Sequence, residues 1–123
     1  MARVLIAEDE DAVRGLVARA LEDDGHIITT AADGAEALDA LADDVGGYDL
    51  LLTDIKMPVL DGLSLAMAAA CERPDMVIML MTGYAEQRER AHNIDALVHD
   101  VVPKPFSVEQ IRLAVREALA PRH

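Results

Sequence analysis

At 123 residues the chain has the length of one domain and can bury a core without disulfide or metal staples. Its formal net charge of −12 argues against nucleic-acid binding, which wants a basic stripe, and against an anionic membrane surface. The lone Cys71 excludes an internal disulfide and reads as a small apolar filler in a reducing compartment. The acidic start MARVLIAEDED is no signal peptide, and no apolar run nears the roughly 20 residues of a membrane span, so the expected location is cytoplasmic.

Taken in order, the chain alternates. Val4–Ala7 is a short apolar strand. Asp11–Asp24 follows as a helix with Val13, Leu16, Val17, Ala20 and Leu21 on one face, and Gly25 stops it. His26–Thr30 is β-branched and strand-like. Asp33 and Glu36 have the spacing of a capping box that opens a helix to about Ala42. Tyr48–Thr53 is the next strand, and Gly62–Cys71 a helix ended near Pro74. Met76–Met81 is an unbroken apolar strand, Ala85–Ala91 a charged helix and Leu97–Val102 a last strand. Ser107 and Gln110 form a second capping box, for a helix ending near Leu119. The aromatic residues are only Tyr48, Tyr84 and Phe106, so the core is aliphatic.

The strands are solid apolar runs without a polar face, as when helices cover both sides of a parallel sheet. The class is therefore α/β, and ligands in such folds bind beyond the carboxyl ends of the strands, where strand order reverses. The residues at those ends are Glu8, Asp9 and Glu10, then Asp54, then Thr82 and Gly83, then Lys104, Pro105 and Phe106. A single acidic residue there is commonly a helix cap. A set that includes one of only two lysines, set opposite the acids, is not explained by capping.

Converging carboxylates either raise a pKa or hold a divalent cation. Oxygen ligands without His or Cys suit Mg²⁺. A carboxylate beside Mg²⁺ can attack phosphorus to give an acyl phosphate, and an ammonium and a hydroxyl neutralise the transferring group.

The segments AEDE, LLLTDIKMPVLDG, LMTGYA and KPF, in this order, resemble the receiver domain of two-component response regulators over essentially the whole chain. The resemblance implies a flavodoxin-like (CheY-like) (βα)5 doubly wound fold, with a five-stranded parallel sheet of order 2-1-3-4-5. It implies that Asp54 is the phosphoacceptor and that Mg²⁺ is held by Asp9 and Asp54, by Glu8 through water and by the Lys56 carbonyl. Lys104 would contact the phosphoryl group, Thr82 would bind it and carry the switch, and the Lys104–Pro105 peptide would be cis. Many receivers have an aromatic residue three positions before the KPF lysine. Here it is Val101, so Thr82, Tyr84 and Val101 are the switch candidates. The Lys56 side chain reads equally as a solvated group and as a tuner of phosphoryl lifetime.

The expected architecture is a receiver over residues 1–120 with a short tail at 121–123 and no output domain. A histidine kinase or histidine phosphotransfer protein would be the donor, and a second protein would read the phosphorylated state on the face made by the last two predicted helices and the strand between them. The segment LMTGYAEQRERAHNIDALVHDVVPKPFS also resembles stand-alone receivers of the CpdR type, cell-cycle regulators that act as adaptors for an AAA+ protease. Two other classes fit less well. An aspartate-nucleophile phosphatase wants an acid two residues after the nucleophile, where Lys56 stands. A flavodoxin-like FMN carrier wants a hydroxyl-rich loop after the first strand, where the acids stand. None of His26, His92, His99 and His123 has the surroundings of a phosphoacceptor.

Overall fold

A computed structural model describes residues 2–43, 47–83 and 98–120. Tyr84, the predicted helix Ala85–Ala91, the first residue of the predicted strand Leu97–Val102 and the tail 121–123 lie outside the described residues.

Five strands, β1 (Arg3–Ala7), β2 (Ile27–Ala31), β3 (Leu50–Asp54), β4 (Val77–Thr82) and β5 (Asp100–Pro103), form one parallel sheet of order β2-β1-β3-β4-β5. Four described helices cover it: α1 (Asp11–Asp23), α2 (Gly34–Asp43), α3 (Gly62–Glu72) and α4 (Val108–Leu119). Along each central strand, successive side chains enter opposite cores. Leu5, Leu51, Ile78 and Leu80 pack with α2 and α3, while Val4, Ile6, Leu50, Leu52, Met79 and Met81 pack with α1 and α4. Both faces are buried, so these strands carry no apolar–polar alternation. Leu50, Leu51 and Leu52 are each fully buried, and such burial contributes about 2 kcal/mol per side chain.

Local chemistry sets the helix ends. Gly25, at φ 92°, takes the left-handed turn after α1 that a residue with a Cβ resists. The Asp61 carboxylate accepts from the Ser64 N–H at 2.8 Å and opens α3. At α2 the Asp33 carboxylate accepts from the Glu36 N–H at 2.8 Å. At α4 both halves of the capping box form, the Gln110 N–H reaching Ser107 Oγ at 3.1 Å and the Ser107 N–H reaching Gln110 Oε1 at 2.7 Å.

The pairing register aligns the strand exits. Ala7 lies beside Thr53, Asp54 beside Met81, and Thr82 beside Pro103. The residues that follow each strand therefore meet at one edge of the sheet, where β1 and β3 diverge toward opposite sides.

Candidate functional site

The site grows out of the ends of β1, β3, β4 and β5. Glu8 leaves β1 fully buried, its N–H donating to the Ala31 carbonyl at 3.1 Å. Asp54 ends β3 and is 6% exposed. One of its carboxylate oxygens accepts from the Ile55 N–H at 2.9 Å, and the other lies 3.2 Å from Lys104 Nζ. Lys104 Nζ also donates to Glu8 Oε1 at 2.6 Å, and the Lys104 N–H donates to the Thr82 carbonyl at 2.7 Å. The Lys104–Pro105 peptide is cis.

Carboxylate oxygens of Glu8, Asp9 and Asp54 lie within 4.8 Å of one another. Together these acids outnumber the Lys104 ammonium that bridges Glu8 and Asp54, and their all-oxygen donor set suits a divalent cation such as Mg²⁺. The electrostatics carry the mark of this crowding. Burial pushes the Glu8 carboxyl up from 4.5 to about 7, with Asp54 adding to the rise and the Lys104 hydrogen bond opposing it. Burial also works against the Lys104 ammonium. The Glu8 hydrogen bond and the Asp54 charge outweigh it and raise its pKa above the usual lysine value.

A cavity of about 640 Å³ opens over the cluster, with Asp9, Asp54 and Lys104 on its polar side and Val13, Leu16 and Phe106 on its apolar side. Lys56 is exposed and also lines the cavity, and Thr82 is buried at the end of β4. Val101 is half-buried, sits beside Leu80 in the register and packs against the α2–α3 core rather than at the site. Glu8, Asp9, Asp54 and Lys104 thus converge.

Three contributors have no signature in the residue pattern. The Arg14 guanidinium donates to the Glu8 carbonyl at 2.8 Å. Gly62 closes the β3–α3 loop: a Cβ there would lie 1.9 Å from the Asp54 carbonyl oxygen, and the Gly62 N–H donates to Ile55 O at 2.7 Å. Val59 has φ 71° at the centre of a γ-turn in which the Leu60 N–H donates to Pro58 O at 2.8 Å, a strained conformation for a β-branched residue. Asp61 and Gly62 open the helix, and the close approach of Gly62 to Asp54 depends on where the loop returns.

A family model described as "Response regulator receiver domain" matches residues 4–116. The chain belongs to the receiver-domain family. It is 39% identical over 119 residues to the sensor kinase CckA of Brucella abortus, covering 96% of this chain and 12% of that protein. It is 36% identical to the response regulator MprA of Mycobacterium tuberculosis over 117 residues, covering 95% of this chain and 50% of that one. The chain thus spans half or less of these curated relatives. Among solved structures, the response regulator TrrA of Thermotoga maritima, crystallised in complex with Mg(2+)-BeF, has a TM-score of 0.85 and 32% identity, covering 97% of this chain and all of that one. Receiver domains act in two-component signalling, and the sheet order of this chain is that of the CheY-like fold.

Proposed function

We propose that this chain is the phosphoacceptor of a two-component pathway, with Asp54 as the residue that carries the phosphoryl group. The observation behind the reading is the convergence of the Glu8, Asp9 and Asp54 carboxylates with Lys104 Nζ at the end of the sheet. An Asp54 oxygen attacks the phosphorus of a phosphohistidine on a histidine kinase or histidine phosphotransfer protein. The P–O bond forms as the P–N bond breaks, and the imidazole leaves with the electron pair and takes a proton. Lys104 neutralises a developing oxygen charge, and the Thr82 hydroxyl hydrogen-bonds the transferred group. Asp9 and Asp54, the Lys56 carbonyl and, through water, Glu8 would hold Mg²⁺, which supplies charge neutralisation at the phosphoryl oxygens when bound. The apolar wall of Val13, Leu16 and Phe106 beside the acids suits a donor helix that presents its histidine to the cavity.

The chain carries signal rather than substrate turnover, and its home is the cytoplasm. Among the described residues no helix is long and apolar enough to cross a membrane. Output is a phosphorylation-dependent protein contact on the side of Thr82 and Lys104, with Tyr84 and Val101 as positions that report the state. Its specific form is the CpdR-type adaptor role toward an AAA+ protease in cell-cycle control.

Mg²⁺ with beryllofluoride, read by amide resonances, tests the core of the reading. The shifts should centre on Asp54, Thr82 and Lys104 in the wild type and vanish in Asp54→Asn. A silent wild type overturns the phosphoacceptor role. A pull-down comparing wild type with Asp54→Ala then tests the output partner.

A further inference from the structure

We propose, resting on the cation-site reading above, that Arg14 is a positioning residue for the metal ligands: it acts through the main chain of Glu8 to set the direction of Asp9. Glu8 is held on every side. Its N–H donates to Ala31 O at 3.1 Å, Oε1 accepts from Lys104 at 2.6 Å, and Oε2 faces the Glu10 N–H at 3.4 Å. The remaining group is its carbonyl, and Arg14 Nη1 donates to that oxygen at 2.8 Å. The carbonyl belongs to the peptide plane that leads into Asp9, so fixing it fixes the Asp9 N and Cα, the point from which the carboxylate side chain starts. Asp9 itself is exposed, and it is the member of the trio with the least packing around it.

Arg14 also breaks a local rule. It lies in the first turns of α1, where the helix dipole disfavours a cation, and the N-cap residue Glu10 makes no side-chain capping bond. Its second contact, with Asp11, adds little, because the Asp11 side chain is 90% exposed. The contact that accounts for the placement is the one to Glu8, on the inner side of the loop.

The two ways in which Arg14 can influence a cation have opposite signs. As a bare charge it repels Mg²⁺, so its removal would tighten binding. As a positioning group it keeps Asp9 in place, so its removal weakens binding by roughly 10- to 100-fold, the range for groups that orient metal ligands. Mg²⁺ titrations of wild type, Arg14→Ala and Arg14→Lys at fixed ionic strength separate them, read by calorimetry and by the Asp9 and Asp54 amide shifts. Melts without Mg²⁺ check that each variant is folded. Weaker binding by Arg14→Ala, with Arg14→Lys between it and wild type, supports the role. Equal or tighter binding by Arg14→Ala overturns it. Where Arg14→Ala does not fold, Arg14→Lys decides alone: weakened affinity supports the role and unchanged affinity overturns it. A wild type that shows no saturable Mg²⁺ binding overturns the cation site itself and this role with it.

Discussion

Glu8 is the residue at which burial and function conflict. Its pKa in the fold is about 7 against an ordinary 4.5. The folded state therefore favours the protonated form, and the associated stability is complete below about pH 4.5 and lost as pH rises through 7. The metal-free protein should be less stable at pH 8 than at pH 5, by on the order of 3 kcal/mol at most, and so melt at a lower temperature. Thermal melts in EDTA check this, and Glu8→Gln should flatten the dependence; a wild type insensitive over that range would show that Glu8 is not strained. At this scale the sequence reveals chemical type but not contact. Asp54 and Lys104 stand out because a carboxylate ends an apolar run and because lysine is rare in this chain. Arg14 and Val59 do not stand out, since a bond to a main-chain carbonyl and a left-handed φ leave no residue signature.

Among the elements, legibility follows the range of the interaction that specifies them. The Ser107–Gln110 capping box spans three residues and could be read directly. Ser107→Ala removes one of its two bonds and should cost about 1 kcal/mol. Urea unfolding should show a lower midpoint with unchanged slope; no loss would show that water replaces the cap. The central strands were legible as unbroken apolar runs. The edge strand was expected over Leu97–Val102; β5 instead starts at Asp100 and reaches Pro103, because the solid apolar pattern that marks the central strands fades at the sheet margin. The tie between α1 and α4, in which Arg116 Nε and Nη2 meet the two Asp24 carboxylate oxygens, Nε at 2.7 Å, joins residues 92 apart and could not be read from spacing.

The whole molecule is governed by its charge of −12. Self-repulsion opposes compaction, so added NaCl should raise the melting temperature by screening. MgCl₂ at matched ionic strength should raise it further, the folded state gaining about 2.7 kcal/mol at a hundredfold excess over the dissociation constant. Equal effects of the two salts would mean that the acidic edge has no specific cation site. The sequence by itself determined the class of the fold, because the alternation of apolar strands with amphipathic helices leaves a covered parallel sheet as the arrangement that buries them. It also named the carboxylates and the lysine at the strand ends. Only the tertiary structure decided how these groups are held. The strand register brings Lys104 between Glu8 and Asp54, Gly62 lets the loop close on the Asp54 carbonyl, and Arg14 grips the peptide before Asp9. Each of these depends on distances between segments remote in sequence or on the course of the backbone, which residue identity alone does not encode.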